Sequence, residues 1–288
     1  MSLQLHQNLN LLFVLILGSF FAFVPLSWSD IGVILMFTFC VEHLFLYLNK
    51  SRDFYFSYAG FSTAIGVIFL IYSTSVWIYL IIIMLGLLQK HFLLLHNKHF
   101  FNPSNFALIM ALLFFYDDAH LISGQLGDDF LFTMVVFVLA MSILVRVKRW
   151  LIPIVFVLFY LIFQYLLIVL YDPVLFFEEI YHRFYSVTFM LFIYFMLTDP
   201  AVTSTNWRGQ VLFVFFVAVS ATLLDRFYGY RVQHLFMVVF FFSFFTNALS
   251  LKQYSLTQFK LLVTILLAVI GSLVYIELQV PYYFEMNG

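Results

Sequence analysis

Long apolar runs, interrupted at short intervals by polar or proline-bearing turns, fill this chain from end to end. A run of about 20 apolar residues is enough to cross a bilayer as a helix. Such runs at roughly 9–28, 31–49, 56–72, 76–91, 104–116, 130–147, 150–171, 180–198, 209–226, 231–249 and 257–277 predict about eleven segments. The fifth is short for a crossing, and only Ser73-Thr74-Ser75 separates the third from the fourth. The longest connections, 92–103, 117–129 and 199–208, leave no room for a soluble domain. Within the first of these, Phe92 to Leu95 sits between Lys90-His91 and His96-Asn97-Lys98 and reads as an interfacial segment. The pattern predicts an all-α, polytopic membrane helical bundle of 10–11 transmembrane segments, a single membrane domain over residues 1–288.

Composition removes the soluble alternative. Of 288 residues 65% are hydrophobic and 9% charged, where a soluble domain carries roughly a quarter charged; the mean hydropathy is +1.06. The net charge of -1 and the lack of any long basic run exclude a nucleic-acid partner. The expected partner is the lipid bilayer, with other membrane subunits as further candidates. Cys40, the single cysteine, rules out an internal disulfide and a cysteine-based metal site, and its apolar surroundings predict a small buried hydrophobe. Residues 1–10 hold no Lys or Arg and precede a full-length apolar run, which reads as a first membrane helix rather than a cleaved signal.

Charge then orients the map. With the amino terminus in the cytoplasm and every segment crossing, ten of the 13 basic residues fall on the cytoplasmic side: Lys50, Arg52, Lys90, Lys98, Arg146, Lys148, Arg149, Arg208, Lys252 and Lys260. Arg183, Arg226 and Arg231 fall outside, with most of the acids. This fits the positive-inside rule and predicts a multi-pass protein of the cell (inner) membrane, its carboxyl terminus outside.

Two breaks in the grease attract chemistry. In Asn102-Pro103-Ser104-Asn105, Asn102 or Ser104 can cap the helix that follows, with Pro103 in its first turn. Beyond that structural role, a short helix aiming its amino terminus inward can hold a ligand or anion. Thr198-Asp199-Pro200 resembles it, with Thr198 or Asp199 able to cap. Both breaks fall on the cytoplasmic side, so they are not inverted-repeat counterparts, although they can converge on one site. Glu42, with His43, lies far inside the second span, where a carboxylate either handles a proton or cation or serves as a hydrogen-bonded structural acid. His234, near the start of the tenth span, is expected at the interface. Asp225, Arg226 and Arg231 around Tyr228-Gly229-Tyr230 read as an ion-pair cluster anchoring a tight hairpin, and Arg146 to Arg149 as an anchor to lipid heads. No phosphate loop, nucleophile elbow or His-Glu-x-x-His pattern occurs, and His91, His96 and His99 are poorly spaced for a metal on one helix.

The run Lys98-His99-Phe100-Phe101-Asn102-Pro103-Ser104-Asn105-Phe106, with Lys90 before it and Phe195-Met196-Leu197-Thr198-Asp199-Pro200 and Arg208-Gly209 after it, resembles the NqrB/RnfD family. These are membrane subunits of ion-translocating redox complexes, and the likeness is closest to stand-alone relatives of the enediyne-cluster type. It covers roughly residues 55–250. The resemblance implies a bundle similar to that of urea transporters, built from two five-helix repeats, with one segment left over at a terminus. It implies electron-transport-linked movement of an ion or solute, through a site at Asn102, Pro103, Asn105, Thr198, Asp199 and Pro200, with Glu42 as a candidate ion handler. The redox members carry covalent FMN on a Thr in a Ser-x-Ala-Thr-like motif. The corresponding loop here, Leu121 to Asp129, has Ser123-Gly124 but neither Ala nor Thr, so covalent FMN is not expected. Noncovalent flavin or quinone stays open, as does a non-catalytic assembly role.

Overall fold

The computed structural model describes residues 3–21, 24, 26–49, 55–95, 98–121, 130–171, 178, 180, 183–200, 202–204, 206–248 and 255–279. Eleven α-helices lie among them: α1 Leu3–Phe21, α2 Trp28–Leu48, α3 Ala59–Leu70, α4 Val76–Phe92, α5 Pro103–Phe114, α6 Phe130–Arg146, α7 Leu151–Leu170, α8 Val187–Leu191, α9 Trp207–Tyr228, α10 Gln233–Ala248 and α11 Leu256–Gln279. Five of these, α1, α2, α7, α9 and α11, are long and apolar enough to cross a membrane. The chain is a multi-pass helical membrane protein in contact with the lipid bilayer.

What marks lipid as the solvent is that the outward faces are as greasy as the core. On α7 the buried face carries Ile152, Phe156, Tyr160 and Leu167, while Ile154, Leu158, Ile162, Leu166 and Val169 point outward. A helix hydrophobic all round belongs in a membrane or a large interior. Without a hydrophobic drive between helices, close packing must hold the bundle, and small residues permit it. A Cβ on Gly86 of α4 would stand 2.5 Å from the Pro103 carbonyl oxygen, and one on Gly60 of α3 would stand 3.2 Å from Glu42 Cβ.

Two helices at the centre do not reach across. α3 and α5 have 12 residues each, about 18 Å at 1.5 Å per residue, against roughly 30 Å of hydrocarbon. α3 continues directly, and α5 after a turn at 115–118, as extended chain, and these strands, β1 Ile71–Ser73 and β4 Ala119–Leu121, pair antiparallel with Ile71 opposite Leu121. Bare backbone at this depth needs internal partners. Besides the ladder, Tyr79 on α4 donates its hydroxyl to Ile71 O at 2.9 Å and accepts from Ser73 N at 3.1 Å. A second small hairpin pairs β2 Leu94–Leu95 with β3 Lys98–His99, so the expected interfacial stretch is partly strand.

Three expectations change here. The first span begins at Leu3 and ends at Phe21, not at 9 and 28. Asn8 and Asn10 sit inside the helix because they donate to Tyr58 O at 2.6 Å and Leu139 O at 2.9 Å on neighbouring segments. Ser27 and Asp30 form a capping box that starts α2 at Trp28. Cys40 is exposed rather than buried, on the face of α2 opposite Thr38, Val41 and Glu42; in lipid a thiol costs nothing there. The eighth span (180–198), of which the described residues include 183–198, is a 3-10 turn Arg183–Tyr185, then α8, then a π-helical turn Phe192–Met196 leading to Thr198.

Between α6 and α7, Lys148 holds φ 57° without being glycine. The left-handed region costs an L-residue roughly 1–2 kcal/mol, part of which glycine returns through its freer unfolded chain. Lys148→Gly is therefore expected to stabilise the protein by a few tenths to about 1 kcal/mol, read as a raised thermal midpoint in detergent.

Candidate functional site

The Asn102-Pro103 break is rigidly framed. Pro103 occupies the first turn of α5, and Asn102 caps it by accepting from Asn105 N at 3.1 Å. Gln89 of α4 donates to Phe101 O at 2.9 Å, and the buried Phe101 ring stacks on Phe240 of α10 with centroids 4.3 Å apart. With its side-chain oxygen used as a cap, Asn102 has its amide nitrogen left to donate. That nitrogen donates to Asp199 Oδ2 at 2.7 Å. Serine or aspartate would cap equally well but could not also present an amide donor.

Asp199 reaches this point through a folded break of its own. Its carbonyl accepts from Val202 N at 3.2 Å, Thr203 N at 3.1 Å and Thr203 Oγ1 at 2.8 Å. Arg149, buried although it was expected among lipid heads, donates to Thr203 Oγ1 and lies beside Asp199. Burial pulls its guanidinium below the ordinary arginine value, and the Asp199 carboxylate opposes that pull. Thr198 and Asp199, read from the sequence as able to cap the next helix, do not do so: Asn206 caps α9 by accepting from Arg208 N at 3.3 Å, because the turn at 202–204 delays the helix start.

The two breaks, 97 residues apart in the chain, meet at a cavity of about 230 Å³. Lys90, His99, Asn102, Ser104, Thr198 and Asp199 supply polar lining, and Pro103 and Pro200 also face it. Of the residues singled out in the sequence, Asn105 is the one in these breaks that stands behind the wall, donating to Phe236 O at 3.1 Å.

Glu42 is fully buried and does not line the cavity; it touches it through a partner. Its carboxylate takes Lys90 Nζ at 2.6 Å, His91 Nε2 at 2.9 Å and Ser57 Oγ at 2.9 Å, and Lys90 is in the cavity wall. Three donors, two of them basic side chains, satisfy this carboxylate inside the span. Lys90 and Arg149 were not expected here. A signal for Lys90 did exist: a lone acid inside one span calls for a base at matching depth on a neighbour.

His234 is not interfacial but fully buried, held between Asp225 and Glu277. The hairpin at Gly229, φ 86°, is anchored by Arg231 N donating to Asp225 Oδ1 at 3.2 Å rather than by a local ion pair. The Arg231 side chain goes instead to Glu277, and Arg226 lies over Tyr171. The loop compared with the flavin-acceptor motif, residues 122–129, lies outside the described residues. Set against protein-family models and against curated proteins, the chain matches none.

Proposed function

We propose that this protein is a transport protein of the RnfD/NqrB-like kind, and that an ion or small polar solute in transit occupies the cavity between Asn102 and Asp199. The observation that carries this reading is the 2.7 Å hydrogen bond from Asn102 to Asp199, which brings two helix breaks to one cavity with a partly polar wall inside an apolar bundle. Broken helices near the bilayer midplane are where transporters bind their substrates. Non-helical backbone at that depth is tolerated where protein or a water-filled cavity surrounds it. Another cavity, about 270 Å³, lies at the other end of α5 beside Tyr116.

Size favours a small passenger. At about 230 Å³ the Asn102 cavity is below the roughly 300–1,000 Å³ of sites for drug-sized ligands. A hydrated ion or a solute of a few heavy atoms fits better than a flavin, which supports transport over electron transfer in this chain. In the orientation set by the basic residues, the cavity opens to the cytoplasm. One observation favours the alternative of a non-catalytic assembly subunit: Asn102 and Asp199 satisfy each other, as two structural caps would.

Proteoliposomes separate the two. With radioactive sodium, chloride, urea and glycerol as probes, at least one is expected to enter faster than into protein-free vesicles. Asp199→Asn, which keeps the fold but removes the charge, is expected to slow that flux at least tenfold. Normal flux in correctly folded Asp199→Asn and Asn102→Ala variants would sink the assignment, and no flux of any probe would favour the assembly role.

A further inference from the structure

At the far end of α5 from Asn102, four helices contribute to a second buried polar cluster that the transport reading does not use. His234 of α10 is completely buried; its Nδ1 is 2.6 Å from Asp225 Oδ1 on α9, and its Nε2 is 3.4 Å from Glu277 Oε1 on α11. Gln164 of α7 donates to the other Asp225 oxygen at 2.7 Å, and Gln233 donates to Glu277 Oε1 at 3.3 Å. Arg231 Nη1 stands 3.7 Å from Glu277 Oε2. Arg183, donating to Tyr160 at 2.8 Å and lying 3.4 Å over the Tyr230 ring, adds a second positive charge near Asp225. From the end of α5, Tyr116 feels both Arg231 and Glu277.

The geometry leaves one place for a proton. A neutral imidazole carries one N–H, and the short contact to Asp225 takes it on Nδ1. Bare Nε2 then faces a carboxylate oxygen, acceptor against acceptor. Neither His234 Nε2 nor Glu277 Oε2 makes a hydrogen bond, although both are buried. One added proton turns the 3.4 Å contact into a charge-assisted bond. Charge does not forbid either state. Two carboxylates and two guanidinium groups balance around a neutral ring, and the protonated ring leaves a single positive charge. The unsatisfied acceptor pair favours taking up a proton, and the small net positive charge that results opposes it.

Access is in place as well. Glu277 itself lines a cavity of about 380 Å³ between α9, α10 and α11, and Arg231 and Gln233, which both reach Glu277, line the separate cavity of about 270 Å³ that also holds Tyr116 and His120. We propose that Asp225, His234 and Glu277 form a proton-binding site, loaded through Glu277, with the bound proton on His234 Nε2. Glu277 is one of the few buried side chains of α11, so the bound proton also ties this helix to α9 and α10. The site stands whether or not a solute occupies the Asn102 cavity.

Ring-labelled 15N histidine in protein reconstituted into nanodiscs tests it by NMR between pH 5 and 9. The expected result is one buried histidine, absent from the spectrum of His234→Gln, passing from doubly protonated to an Nδ1–H neutral ring. At fixed pH near the middle of that change, Glu277→Gln is expected to lower its protonated fraction at least threefold. Arg231→Gln is expected to raise it, since it removes an opposing positive charge. A His234 signal in one protonation state across the range, or one indifferent to both variants, would overturn the proposal. Should His234→Gln not fold, the opposite responses to the other two variants identify the signal, and their absence overturns the proposal equally.

Discussion

Replacing Glu42 by alanine is expected to destabilise the protein by about 3–5 kcal/mol, the cost of leaving a buried charge without its partner. The carboxylate is fully buried and holds Lys90 at 2.6 Å and His91 at 2.9 Å. With it gone, the Lys90 ammonium keeps only slight exposure, and Asn49, which donates to His91 O at 2.6 Å, loses the order of that turn. Thermal unfolding in detergent should show the loss. The informative companion is Glu42→Met with Lys90→Met. An ion pair replaced by well-packed apolar groups is often neutral, so the double variant should regain most of the stability lost by the single one. If it falls as far as Glu42→Ala, the pair is not what the carboxylate stabilises. Flux measured on the stable double variant would also tell whether Lys90 serves the cavity or only the core.

The second large effect belongs to Gly86. Its added Cβ would meet a backbone oxygen, Pro103 O at 2.5 Å, and the Ala107 Cβ at 3.3 Å. Neither can rotate away, so Gly86→Ala must push the start of α5 off α4. Overpacking of this kind costs about 1–3 kcal/mol. The functional loss should be larger than the stability loss, because the displaced turn carries Asn102 away from Asp199. Two controls grade the argument. At Gly66 the nearest atom is the Ser104 hydroxyl at 2.8 Å, the end of a side chain that can turn, and at Gly32 nothing lies within 4 Å. Stability should fall in the order Gly32→Ala, Gly66→Ala, Gly86→Ala. Equal effects at all three would mean that close approach is not what these positions serve.

How much of this was legible depended on the range of the interaction. Runs of α2, α7, α9 and α11 are continuous and apolar, and a local pattern of that length is enough to place a helix. The cap at Asn102 is equally local, since Asn-Pro followed by Asn105 contains both partners. Residues whose partners are distant in the chain were not legible. Asn8 and Asn10 look like the polar edge of α1 because their acceptors, Tyr58 O and Leu139 O, lie far along the sequence. Lys90 and Arg149 fit the positive-inside pattern so well that nothing local marks their buried roles. The strands at 71–73 and 119–121 leave no alternating signature, since they are short and mostly enclosed. The meeting of Asn102 with Asp199 was foreshadowed only by both breaks falling on one side of the bundle.

That short ladder bears on how the protein is made. As the ribosome delivers α3, its exit at 71–73 has no strand to bind, because Ala119 to Leu121 emerge roughly fifty residues later. Until then the stretch from Ala59 to Ser73 is too short to lodge across the bilayer, and of its extended end Ile71 O and Ser73 N have an early partner in Tyr79 while the ladder groups have none. The segment is therefore expected to wait at the insertion machinery or the membrane surface, with α3 and α5 entering together once the second strand has been synthesised. A chain truncated before Ala119 should therefore leave the segment accessible to protease or alkali extraction, while one that ends just after Leu121 should not.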